Sequence, residues 1–110
     1  MTLEKLKSLG CNVEEGLARC MNNEAFYLGL VSKFLGSTDL SKLHDALEAN
    51  DLDTAFKEAH SLKGVAGNLS LTPLYETLVE MVELLRGKTV TDYAPLFAKL
   101  SESLNALKAE

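Results

Sequence analysis

Residues 59–71, with the sequence AHSLKGVAGNLSL, determine how the rest of the chain is interpreted. If this stretch is a helix, positions i, i+3, i+4 and i+7 share one face, and they are His60, Lys63, Gly64 and Gly67. A different face, suited to a hydrophobic core, carries Ala59, Leu62, Ala66 and Leu69. Each glycine inside a helix costs about 1 kcal/mol relative to alanine. Two glycines on the face of a histidine therefore indicate that a large molecule must come close to His60.

The composition predicts one helical domain, which we expect to cover residues 1–110. A chain of 110 residues has the usual size of a single domain. Apolar residues make up 46% of it, which excludes a disordered chain, and with only 2 prolines long helices can form without interruption. No apolar run approaches the roughly 18 residues that span a bilayer.

Charge and cysteine content restrict the partners and the compartment. The net charge of -5 argues against nucleic-acid binding, which needs a basic surface, and against binding to an anionic membrane. Cys11 and Cys20 match no metal-ligand spacing and form no disulfide framework. We therefore expect two reduced thiols in a cytoplasmic protein that has no secretory signal and no metal site.

Helix start and stop signals divide the chain. Residues typical of N-caps precede five predicted helices, and they are Asn23, Thr38 or Asp39, Asp51, Thr72 (followed by Pro73) and Asp92. The expected helix ends are Gly10, Gly36, Asn50 and Gly87. A short helix is also predicted over Val13 to Arg19. Short connections between long amphipathic helices imply antiparallel neighbours. We therefore expect an all-α fold, an up-down antiparallel four-helix bundle with additional short N-terminal helices.

Helical spacing predicts a basic surrounding for His60, with apolar residues at its edges. Lys57 and Lys63 flank the histidine, and Phe56 lies one turn before it. Leu71 extends the same face if the helix continues that far. An imidazole is mostly neutral at pH 7, so its ring carries a free lone pair and is a nucleophile. A lysine beside it would compensate the charge of an arriving phosphoryl group. These residue types predict a phosphoacceptor.

The stretch resembles the centre of histidine-containing phosphotransfer (HPt) domains, whose motif is a histidine, Lys-Gly at +3 and +4, and a glycine at +7. Flanking parts of the chain are also similar to the family, and they are residues 13–19, 26–28, 34–35 and 71–76. The resemblance implies a helical-bundle phosphocarrier without catalytic activity of its own. It also implies that His60 accepts the phosphoryl group and that Lys63 stabilises its charge. This chain would bind no cofactor, and the partner receiver domain would hold the Mg²⁺.

The partner is expected to dock on the same helical face. The predicted docking residues are Gly64, Gly67, Phe56, Lys57, Asn68 and Leu71, since an exposed apolar patch usually marks a binding surface. Alternatives stay open for most of them. Gly64 could end the helix, and both glycines could pack closely against another helix of the bundle. Phe56 and Leu71 could lie at the edge of the core, and Lys57 could be an ordinary solvated lysine.

Two positions depart from the family pattern. Many members have a glycine at +10, where this chain has Ser70, which is small but restricts the backbone at the helix end. Some members use a glutamine or glutamate on the next helix to hydrogen-bond the histidine ring, and Val82 occupies that position here. Either another group orients the ring, such as a backbone carbonyl, Glu80 or Glu83, or the ring is less restrained.

The expected function is that of a phosphorelay intermediate. His60 would accept a phosphoryl group from a receiver-domain phosphoaspartate, or from a kinase, and pass it to another receiver aspartate. The expected partners are response-regulator receiver domains and a hybrid histidine kinase, with the chain itself a monomer. Two alternatives are a helical adaptor that binds a receiver or kinase without carrying phosphate, and the phosphoacceptor domain of a larger histidine kinase. His44, which has no basic or glycine neighbours, is predicted to lie at the surface.

Overall fold

The computed structural model describes residues 1–109, which form seven α-helices and no strand. The helices are α1 (Leu3–Ser8), α2 (Val13–Arg19), α3 (Glu24–Ser37), α4 (Ser41–Glu48), α5 (Leu52–Asn68), α6 (Thr72–Arg86) and α7 (Ala94–Lys108). Helices α3 to α7 pack antiparallel as a bundle, with the short helices α1 and α2 before them. The predicted all-α bundle is therefore confirmed. No helix among residues 1–109 is both long enough and apolar enough to cross a membrane.

Helix α5, which carries His60, has one side in the core of the bundle and the other side in solvent. It packs between α4 and α6, while α6 also contacts α7 and α7 contacts α3. On its inner side α5 carries the fully buried alanines Ala55, Ala59 and Ala66. Helix α6 contributes the larger core residues, among them Leu78 and Met81, which are at most 1% exposed. Small side chains on α5 let its backbone approach its neighbours closely, and the opposite side of α5 faces solvent.

Two of the predicted N-caps are confirmed by hydrogen bonds. The side chain of Asn23 accepts a hydrogen bond from the amide of Phe26, and that of Asp51 accepts one from the amide of Thr54. Each bond satisfies an amide that has no partner inside the helix. Asp51 therefore sets the start of α5, the helix that carries His60.

The other three cap positions belong to Leu40, Leu71 and Tyr93. The predicted caps Asp39, Thr72 and Asp92 each lie one residue from them, and Thr38 lies two residues from Leu40. Asp39 and Asp92 still accept a hydrogen bond from the amide two residues later, which is the local bond that aspartate forms in turns. The hydroxyl of Thr72 accepts a hydrogen bond from the backbone of Asn12. Its side chain thus ties the start of α6 to the start of α2 instead of capping its own helix.

The prediction that Gly36 ends α3 is wrong. The helix continues to Ser37, and the hydroxyl of Thr38 then donates a hydrogen bond of 2.6 Å to the carbonyl of Phe34. Gly10, in contrast, follows α1 with a φ of 93°, the left-handed conformation that glycine adopts most easily. Gly87 closes α6 as predicted, although the left-handed residue there is Lys88, with a φ of 52°.

Tyr27 connects α3 to the end of α5. Its side chain is fully buried, and its hydroxyl donates a hydrogen bond of 2.7 Å to the carbonyl of Leu69. The ring lies against Gly16, where an added Cβ would come within 2.5 Å of Tyr27 Cε1. Burial raises the pKa of Tyr27 from 10.0 to about 12. The folded chain therefore favours the neutral phenol at this position.

The stability that Tyr27 provides should depend on pH in the alkaline range. Because its folded pKa lies above its unfolded value, this contribution is fully present below pH 10.0 and is lost as the pH rises toward about 12. We expect the free energy of unfolding, measured with urea, to fall more steeply over that interval in the wild type than in Tyr27→Phe. Tyr75→Phe, at a partly exposed tyrosine, is the matched control for the loss of a tyrosine hydroxyl. Equal slopes in the wild type and Tyr27→Phe would contradict the assignment.

Candidate functional site

The face of α5 that carries His60, Lys63 and Gly64 is open at its centre. His60 is exposed, and Lys63 beside it is half-buried. A Cβ added at Gly64 would meet no atom within 4 Å. The helix continues through Gly64 to Asn68, so Gly64 is not a helix end. The missing side chain at Gly64 therefore leaves free space next to the imidazole.

Gly67 has a different surrounding from Gly64. A Cβ added at Gly67 would lie 3.0 Å from Cε1 and 3.1 Å from Cδ1 of Tyr75, a residue of α6. The alternative of close packing within the bundle thus applies to Gly67 and not to Gly64. The Tyr75 side chain is 39% exposed, so its ring rests on Gly67 and also reaches solvent. Tyr75 was not among the residues predicted from the sequence.

The prediction that Leu71 belongs to the docking surface is wrong, because its side chain is fully buried. Helix α5 ends at Asn68, and the chain then reverses direction. The amide of Leu71 donates to the carbonyl of Ala66, and the amide of Ser70 donates to that of Gly67. This pair of bonds turns the residue after Ser70 inward. Asn68, by comparison, is exposed at the last position of the helix.

Ser70 takes the left-handed conformation, with a φ of 55°. A residue with a side chain adopts this conformation at a cost of about 1–2 kcal/mol. Its hydroxyl donates a hydrogen bond of 3.0 Å to Glu15 and accepts one of 2.7 Å from Arg19. Arg19 also donates to the carbonyl of Gly67 at 2.9 Å. These bonds offset the backbone cost and place a cation at the C-terminus of α5, where the helix dipole favours it.

Glu15 completes this network from the side of α2. It forms an ion pair with Arg19 at 2.9 Å, and both groups are about half exposed. Hydrogen bonds from Ser70 and then from Arg19 hold the pKa of the Glu15 carboxyl below its usual value. The three residues join α2 to the end of α5. Sequence spacing could not reveal them as a group, because Arg19 and Ser70 are 51 positions apart.

An open cleft of about 680 Å³ begins beside Lys63 and Gly64 of α5. Residues of α2, α5 and the start of α6 line it, including Arg19, Lys63, Gly64 and Tyr75. The cleft therefore joins the open space at Gly64 to a surface made partly by the N-terminal helices. A partner that approaches His60 over Gly64 would meet both.

The aromatic ring of Phe56 supports the His60 ring. The two ring centroids are 5.5 Å apart, and the ring planes make an angle of 28°. The guanidinium carbon of Arg86, on α6, lies 5.4 Å from the Phe56 centroid. Within residues 1–109 no group donates a hydrogen bond to the His60 ring or accepts one from it. Val82 is fully buried in the core.

Lys57, one turn before His60 on α5, is exposed. The remaining candidates lie away from α5. His44 is at the surface as predicted, with its ring 5.1 Å from that of Phe97. Cys11 and Cys20 are buried free thiols, and burial raises the pKa of Cys11. In the described part of the chain, no group of three or more histidine, cysteine, aspartate or glutamate side chains is arranged to hold a metal ion.

The comparisons with known proteins agree with this geometry. A family model described as "Hpt domain" matches residues 33–110, which is more than half of the chain. The chain therefore belongs to the Hpt domain family. Membership implies a phosphocarrier that takes part in a phosphorelay and interacts with receiver domains or histidine kinases. No curated protein and no solved structure matches the chain.

The two glycines should respond differently to alanine. Gly64→Ala should raise the free energy of unfolding by about 1 kcal/mol, which is the usual gain for alanine in a helix. Gly67→Ala should raise the free energy of unfolding by clearly less than Gly64→Ala, because the added methyl group must displace the ring of Tyr75. In a Tyr75→Ala background the two gains should become equal, which a double-mutant cycle of urea unfolding measures. If the two substitutions raise the free energy of unfolding equally while Tyr75 is present, the Tyr75 ring does not pack on Gly67 as described.

Proposed function

We propose that the chain is a phosphorelay intermediate in which His60 receives a phosphoryl group and passes it on. The donor is a receiver-domain phosphoaspartate or a kinase, and the acceptor is the aspartate of another receiver. The observation that carries this proposal is an exposed imidazole next to the open space at Gly64. A large partner has to bring its reacting group within bond-forming distance of the ring.

The transfer step needs only one lone pair from this chain. The outer ring nitrogen, Nε2 of His60, attacks the phosphorus of the phosphoaspartate in line. An N–P bond forms, the P–O bond to the aspartate breaks, and the carboxylate leaves with the electron pair. The proton on Nδ1 stays in place, so the product is a phosphorylated imidazolium. Transfer to the second receiver reverses these changes with its aspartate as the nucleophile.

The negative charge of the phosphoryl group is compensated partly by this chain and partly by the receiver domain. Lys63 lies one turn after His60 on the same helix, which supports a role for its ammonium group in stabilising the phosphoryl oxygens. Lys57, one turn before His60 and exposed, is a second cation for the same purpose or for docking. The Mg²⁺ belongs to the receiver domain, and this chain contributes no cofactor of its own.

Docking uses the surface around the histidine. Gly64, Gly67 and Asn68 line the cleft beside it, while Lys57 lies on its other side along α5 and Phe56 stacks on the imidazole itself. The chain acts as a monomer in the cytoplasm, where receiver domains and reduced thiols occur together. A helical adaptor that never carries phosphate would use the same surface, so only a transfer experiment separates the two functions.

The test is acceptance of radiolabelled phosphate from phosphorylated receiver domains of the same cell. Wild-type chain should become labelled, and the label should be lost in acid, as expected for phosphohistidine. His60→Gln should remain folded and stay unlabelled, whereas the matched variant His44→Gln should be labelled like the wild type. Label on His60→Gln would refute the assignment of the residue. Receiver binding without any label on the wild type would favour the adaptor.

A further inference from the structure

Among residues 1–109, the His60 ring is restrained by an aromatic contact and by no hydrogen bond. Its plane lies at 28° to that of Phe56, with 5.5 Å between the centroids. Offset stacking at this separation is a favourable arrangement for two aromatic rings. The two residues are one helical turn apart, so the backbone of α5 holds their Cα atoms in register. An exposed side chain without such a neighbour changes rotamer within picoseconds to nanoseconds.

Phe56 is itself fixed from the neighbouring helix. Its side chain is partly buried and packs against the core. The guanidinium group of Arg86 lies near its ring, with 5.4 Å between the guanidinium carbon and the ring centroid. Arg86 is paired in turn with Glu83, at 3.5 Å between Nε and Oε1. The contact with His60 therefore comes from a ring held by both α5 and α6.

We propose that Phe56 is a positioning residue for phosphotransfer, which holds the imidazole in the orientation that presents Nε2 to the incoming phosphoryl group. This inference rests on the proposed function of His60. It assigns to stacking the restraint that a hydrogen bond would otherwise provide. An aromatic contact of this kind shifts an orientational equilibrium about two- to tenfold, so the loss of the Phe56 ring should slow the chemical step by a similar factor.

A positioning residue and a docking residue affect different kinetic quantities. If Phe56 orients His60, its loss lowers the transfer rate at saturating receiver and leaves the half-saturating receiver concentration unchanged. If Phe56 only contacts the partner, its loss raises the half-saturating concentration and leaves the saturated rate unchanged. The two possibilities are therefore separated by measuring the transfer rate over a range of receiver concentrations.

The experiment compares Phe56→Leu with Phe56→Tyr, using a phosphorylated receiver domain as donor. Leucine keeps the apolar contact with the core but removes the ring, whereas tyrosine keeps the ring. We expect Phe56→Leu to transfer about two- to tenfold more slowly at saturation. Phe56→Tyr should transfer faster than Phe56→Leu by a similar factor. The half-saturating concentration should be the same in both variants.

Proton NMR gives an independent reading of the ring contact. In the wild type the ring protons of His60 should be shifted upfield by Phe56, and this shift should be lost in Phe56→Leu and retained in Phe56→Tyr. His44 lies near a different ring, that of Phe97, with 5.1 Å between the ring centroids, so its signals are an internal control and also report that the variant is folded.

Two results would overturn the proposal. One is a folded Phe56→Leu variant that has lost the upfield shift of the His60 ring protons but still transfers phosphate at the wild-type rate at saturating receiver. The other is an increase in the half-saturating concentration alone. Neither result would affect the assignment of His60 as the phosphoacceptor, because the label would still be found on that residue. Failure of wild-type His60 to become labelled would instead remove the function on which the proposal rests.

Discussion

The close packing of α5 against its neighbours is the constraint on which the site depends. The buried face of α5 is made of alanines at Ala55, Ala59 and Ala66. These side chains are short, so neighbouring helices lie near the α5 backbone. Residues of α6 can therefore reach the outer side of α5, and Tyr75 and Arg86 do so at its two ends. Larger residues at the alanine positions would push α6 away and remove these contacts.

The C-terminal end of α5 is held by a second set of interactions, which residues in the N-terminal part of the chain provide. Arg19 binds the last carbonyls of the helix, and Tyr27 binds the carbonyl of Leu69. Both residues precede residue 33, where the family match begins. Helix α2 thus completes the cleft beside His60, and α2 and α3 together fix the point where α5 stops. One end of the site is stabilised by chain outside the matched region.

Local sequence signals were sufficient for most of the fold and for the centre of the site. Asn23 and Asp51 were identifiable because a cap bonds an amide three residues later, within the same short stretch. The face with His60 and Gly64 was identifiable because helical periodicity alone decides which residues share it. These features involve residues close together in sequence, where spacing determines geometry.

The errors and omissions arise where geometry depends on distant residues or on an unusual backbone conformation. Helical periodicity predicts Leu71 on the outer face only if α5 continues beyond Asn68, and the helix ends there. Ser70 ends that periodicity with a positive φ, and a serine gives no sign of it. Arg19, Tyr75 and Arg86 reach the site from other helices, so no local pattern points to them.

The central claim is that the open space at Gly64 gives a receiver domain access to His60. The most direct test is the rate of phosphoryl transfer from a phosphorylated receiver to Gly64→Gln, compared with Gly64→Ala. Both side chains would project into free space, so both variants should fold, and His60 itself is unchanged. We expect the glutamine variant to transfer at least about tenfold more slowly than the alanine variant, because small misplacements of reacting groups lower rates strongly. Equal rates in the two variants would contradict the account.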